Sequence, residues 1–151
     1  MLKVTSPAVR ADGTIDQRNT YDGEDFSPAI SWSGAPPGTA SFAVIMDDPD
    51  AAGGTWVHWV IFDIPGSATG LPAGMPKAGS LPDGSRQGAC WGVTSFNRVG
   101  YHGPCPPPGK PHRYVFKVWA LSGKRSPLAC RKSMNLRSVD EFGSSAANRA
   151  W

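Results

Sequence analysis

A chain of 151 residues is the size of one domain and buries roughly two thirds of the surface its unfolded form exposes, so it needs no metal or disulfide staple. Its 18% charged residues, 18 Gly and 15 Pro favour strands, turns and structured loops over helices. The net charge of +3 belongs to the tail: residues 1–123 carry 9 Lys/Arg against 10 Asp/Glu and residues 124–151 carry 6 against 2, and a slightly acidic body argues against nucleic acid as a partner.

The first residues, MLKVTSPAVRADG, hold no apolar run of signal-peptide length, and nowhere do 18 apolar residues follow one another. A cytoplasmic protein without membrane insertion is expected. Residues 29–32 are a short predicted strand between Pro28 and the turn Gly34-Ala35-Pro36-Pro37-Gly38. Residues 41–47 (SFAVIMD) and 55–64 (TWVHWVIFDI) are β-branched and aromatic runs that read as strands, and 112–121 (HRYVFKVWAL) repeats that composition. Between them run Gly/Pro-rich connections, 66–88 and 100–111, long enough to be functional loops. Strands joined by turns with no alternating helices predict an all-β domain, a β-sandwich or related Greek-key packing. Cys90, Cys105 and Cys130 are odd in number and form no C-x-x-C pair, which fits a reducing compartment.

Side chains alternate across a strand, so Trp56, His58, Val60 and Phe62 are expected on one face of 55–64, and His112, Tyr114, Phe116 and Val118 on one face of 112–121. Asp48 lies where the strand 41–47 stops, before Pro49, which restricts it to extended geometry. If the three strand ends converge, two imidazoles and a carboxylate surround a small cavity with Trp56 and Tyr114 as walls, and His N–H groups with nearby backbone amides hold an anion there. The plain alternative is a core histidine beside an Asp-Pro-Asp turn. No metal is expected, because no ligand pair has zinc-type spacing, the twelfth position of the calcium-like 48–59 run is Trp59, and Pro111 stands where a phosphate-binding P-loop needs Ser/Thr. With no G-x-S-x-G elbow and no nameable nucleophile, no catalytic residue and no cofactor are assigned.

Asp48-Pro49-Asp50, Thr55-Trp56-Val57-His58-Trp59, the loop from Gly103-Pro104 to Pro108-Gly109, and Pro111-His112-Arg113-Tyr114 together give the chain a recognisable pattern. It resembles the phosphatidylethanolamine-binding protein family, and the stretch SPAISWSG with Gly100-Tyr101-His102-Gly103-Pro104 is most similar to the prokaryotic, Raf kinase inhibitor-like branch. The resemblance covers about residues 4–121 and implies a large central antiparallel sheet packed on a smaller one, few short helices, and an anion pocket at one end. The matching ligand-binding positions are Asp48, Trp56, His58, Gly103, Pro104, His112 and Tyr114, with Asp50, Tyr101 and Arg113 in support; Arg113 is expected to pair with Asp48 or Asp50. His102, where close relatives carry a small residue, is expected either to add a donor at the rim or to narrow the entrance.

Residues 122–151 do not resemble the amphipathic C-terminal helix such a domain would have, since Pro127 and Gly143 interrupt them, so that helix is expected to be absent or altered. The pairs Val139-Asp140 and Glu141-Phe142 are ones that cloning sites encode, and the segment reads as an atypical tail, non-native or disordered. The function expected is binding of a small phosphorylated or other anionic ligand, with modulation of a protein partner; a homodimer stays open. The alternative is a hydrolase in which a His beside Asp48 works as general base on esters or phosphates.

Overall fold

In a computed structural model, which describes residues 2–88, 98–123 and the strand backbone of 142–149, two antiparallel sheets pack face to face. The smaller sheet has the order β1 (Lys3–Thr5), β2 (Ile30–Ser33), β5 (Gly70–Leu71). The larger has the order β6 (Arg86–Gln87), β4 (Trp56–Pro65), β3 (Ser41–Asp48), β7 (Arg113–Leu121), β8 (Phe142–Arg149). Among the described residues one 3-10 turn, Gln17–Asn19, interrupts the strands. The expected all-β architecture of a large and a small sheet is therefore what forms. No helix among the described residues is long and apolar enough to cross a membrane. Of the anomalous tail, 124–141, 150 and 151 lie outside the described residues, as do Cys90 and Cys130, while 142–149 run as β8 along residues 113–120 of β7.

The inner faces meet through Ile30, Trp32 and Leu71 of the small sheet against Phe42, Val44, Met46, Trp59, Ile61, Tyr114, Phe116 and Val118 of the large one. Trp32 anchors the join: its ring lies 5.0 Å from that of Phe42 and its Nε1–H donates to the Ala68 carbonyl at 2.9 Å. Strand β7 alternates as its sequence demands, with Tyr114, Phe116, Val118 and Ala120 all turned to this core.

Strand β4 does not alternate. Met46 pairs with Trp59 but the next residue, Asp47, pairs with Val57, so His58 is an extra residue in a β-bulge; a second irregularity follows at Phe62 and Asp63, where Asp63 takes φ 57°. The expectation that Trp56, His58, Val60 and Phe62 share one face is thus corrected. Val57, Val60 and Phe62 pack with Ile45 on the outer face, whereas Trp59 and Ile61 face the inter-sheet core and His58 stacks edge-on against Tyr114, itself a core residue. A one-residue insertion reverses every side chain beyond it.

Trp59 fills the centre of this arrangement, buried to 1% exposure, with its ring edge-on to Tyr101 and its Nε1–H donated to Gln87 Oε1 at 2.7 Å. Truncating it to Ala removes a large buried ring and takes the donor from Gln87 Oε1, so a loss of about 3–5 kcal/mol in denaturant-measured stability is expected.

Candidate functional site

In an antiparallel sheet the C-terminal end of one strand lies beside the N-terminal ends of both neighbours. Strand β3 is flanked by β4 and β7, with Asp48 opposite Trp56 and Asp47 opposite Val115, so Asp48, Trp56, His58, His112 and Tyr114 gather at one edge of the large sheet. Asp48 is buried; its Oδ2 accepts the Nδ1–H of His112 at 2.7 Å and its Oδ1 accepts the backbone N–H of Asp50 at 2.9 Å, an Asx turn that fixes the carboxylate where the strand stops. The His58 ring stands 5.0 Å from the Tyr114 ring at 84°. The Tyr114 hydroxyl lies beside Asp48 and accepts the N–H of Cys105 at 3.3 Å. Burial raises its pKa, which keeps the phenol protonated.

Both imidazoles are oriented through Nδ1. His58 Nδ1 lies 2.9 Å from the carbonyl of His102, and since a carbonyl only accepts, that nitrogen carries the proton; the backbone N–H of His102 returns a bond to the His58 carbonyl at 3.2 Å. His112 Nδ1 is committed in the same way to Asp48. What each ring offers a ligand is therefore Nε2, which is a lone-pair acceptor while the ring is neutral. Burial lowers the pKa of His58 and favours its neutral form.

The loop 100–104 closes one side, and the residues that hold it were not evident from the sequence. Gly103 donates its N–H to Asp25 Oδ1 at 2.7 Å, the Tyr101 hydroxyl donates to the Asn19 carbonyl at 2.6 Å, and Tyr21 N–H donates to the Pro104 carbonyl at 3.0 Å. A Cβ on Gly103 would stand 2.5 Å from the Asn19 carbonyl oxygen, so only glycine lets the two loops meet this closely. Asp25 itself takes φ 51°, a left-handed conformation that Asp and Asn tolerate, and its second oxygen pairs with Lys77. Gly103 and Pro104 are thus buried against the 16–26 loop, and the Gly103 amide is held by Asp25. The backbone of His102 binds His58, and its half-buried ring sits 3.9 Å from Asp25. Burial and Lys77 lower its pKa.

Arg113 points away from His112 and grips Asp50 with Nε and Nη2 at 2.9 and 2.7 Å, while its backbone N–H donates to the same carboxylate at 2.8 Å. Of the two partners expected for Arg113, Asp50 is the one it takes, and the guanidinium holds the Asp50 pKa well below the usual carboxylate range. A cavity of about 230 Å³ opens further along the same face, bounded by Val4, Ser6, Pro28, Ile30 and Phe116; none of Asp48, His58 or His112 lines it.

Comparison with known proteins places the chain. The family model described as phosphatidylethanolamine-binding protein matches residues 5–149. A UPF0098 protein of Methanothermobacter thermautotrophicus is 51% identical over 120 residues, covering 80% of this chain and 76% of that protein. The UPF0098 protein YbcL of Escherichia coli is 45% identical over 87% of this chain and 75% of its own length. The crystal structure of YbcL, described as a new member of the mammalian PEBP family, superimposes with a TM-score of 0.78 over 99% of this chain and 96% of that one, at 33% identity.

Substitutions at two positions test the supports of the site. Arg113→Ala should lower the Tm by about 1–4 °C in calorimetry, the scale of one exposed bidentate pair, and an unchanged Tm would remove Arg113 as the clamp on the 48–50 turn. Asp25→Asn keeps both the left-handed backbone and an acceptor for Gly103, so its Gly103 amide resonance should stay close to wild type, whereas Asp25→Gly keeps only the backbone and should shift that resonance and weaken its protection from hydrogen exchange.

Proposed function

We propose that this chain, which belongs to the phosphatidylethanolamine-binding protein family, is a binding module of the cytoplasm that captures a small phosphorylated or other anionic ligand between His58 and His112 and modulates a protein partner through the occupied surface, as a kinase inhibitor would. The observation that supports it is the convergence of one buried carboxylate and two imidazoles around the Tyr114 ring, each imidazole oriented through Nδ1 so that Nε2 is the atom it offers. In this reading Trp56, opposite Asp48, and Tyr114 serve as walls, and Gly103 with Pro104 packs on the 16–26 loop. Perturbed titratable groups gathered at a strand-end loop cluster are the usual signature of a site.

The His112–Asp48 pair, at 2.7 Å, also has the form of a general base and its orienting carboxylate, which is what favours the second reading, a hydrolase of esters or phosphates. That reading requires turnover of aryl esters or aryl phosphates that is lost in Asp48→Ala. A binding module shows no such mutation-sensitive rate.

Titration calorimetry with phosphorylethanolamine separates the site from the rest of the surface. His58→Ala and His112→Ala should each weaken binding by at least about tenfold while the far-UV circular dichroism stays that of wild type. Equal affinity in both variants contradicts the assignment.

A further inference from the structure

We infer that the site takes up its anion together with a proton, and therefore selects an anion that can carry a hydroxyl, monoprotonated phosphate or a phosphate monoester, over a fully deprotonated one such as sulfate. This deepens the binding role proposed above and rests on it. The inference follows from which hydrogen-bonding atoms the fold has already committed. The Nδ1–H of His58 is committed to the His102 carbonyl, the Nδ1–H of His112 to Asp48, the Gly103 amide to Asp25 and the Cys105 amide to Tyr114, while Pro104 has no N–H. The donors expected to cradle an anion are thus directed inward, and each ring, while neutral, presents a lone pair at Nε2.

Charge points the same way. The groups around His58 are Asp48 at the end of β3, Tyr114 on β7, and Asp25 with the backbone of His102 and Gly103 from the loops; His112 faces Asp48 and acts on Asp50. The cations in reach sit against other carboxylates: Lys77 on Asp25, Arg113 on Asp50 and Lys117 on Asp47, with Arg98 acting on His102. The Asp48 carboxylate is partnered by the His112 ring and lies where an incoming ligand would meet it. An anion without a hydrogen would bring lone pair to lone pair and charge to like charge in a buried setting. One proton removes both conflicts. It rides on a phosphate oxygen and is donated to Nε2 as P–O–H···N, or it passes to the ring, which then donates N–H···O–P; the complex holds the same atoms either way.

A phosphate monoester, methyl phosphate, and sulfate, tetrahedral and close in size, are the probes. At pH 8, where the monoester is a dianion with no P–O–H of its own, calorimetry in two buffers of different ionisation enthalpy should show about one proton taken up for each monoester bound, and sulfate should bind at least about tenfold more weakly. Asp48→Asn keeps an acceptor oxygen for His112 but removes the charge and adds an N–H donor, so the preference for the monoester should fall toward unity. Proton uptake near zero, or equal affinity for sulfate in the wild-type protein, overturns the inference. If monoester binding is weakened by His58→Ala and His112→Ala while those two readouts fail, the site stands and the proton requirement falls; if the monoester does not bind, or is indifferent to both histidines, the site assignment fails and takes the inference with it.

Discussion

Antiparallel pairing puts the end of β3 beside the starts of β4 and β7, and the whole site depends on that register. Asp48 could not meet His112, 64 residues away in sequence, by any local rule; it does so because Asp47 is locked opposite Val115. The register is in turn enforced by burial. A slip of one residue along β7 would turn Tyr114, Phe116 and Val118 out of the inter-sheet core and bring Lys117 into it. The hydrophobic pattern that folds the sheet is thus the same constraint that assembles the polar cluster at its edge.

Onto this frame two local devices are added. The bulge at His58 lets that residue and Trp59 both turn inward, one to the Tyr114 ring and one to the core, while Val57 and Val60 cover the outer face. The contact between the 16–26 and 100–104 loops then fixes the carbonyl that orients His58. Orientation through Nδ1 leaves Nε2, an acceptor while the ring is neutral, as the atom each imidazole presents.

Much of this was legible in the sequence where composition and period agree. The four predicted strands lie within a residue or so of β2, β3, β4 and β7, and the resemblance to phosphatidylethanolamine-binding proteins supplied the two-sheet plan. The pairing of Arg113 with one of two nearby acids was readable from its side of the strand alone. What failed to show was whatever depends on long-range backbone contact. Strict alternation assigned Val60 and Phe62 to the face of His58, because a bulge leaves no mark in a run of β-branched and aromatic residues. The two-residue strands β5 and β6 inside the 66–88 connection are too short to carry a period, and the three-residue β1 likewise. Asp25 looked like a loop acid; its left-handed φ and its hold on Gly103 arise only when two loops 78 residues apart are brought together.

The claim at the centre is that both imidazoles carry their proton on Nδ1 and turn Nε2 toward one shared ligand. Nitrogen-15 NMR of the histidine rings at a pH where they are neutral reads this directly. His58 and His112 should both show the Nδ1–H tautomer, and added inorganic phosphate should move the Nε2 resonances of both. An Nε2–H tautomer in either ring, or a response from one ring alone, would contradict it.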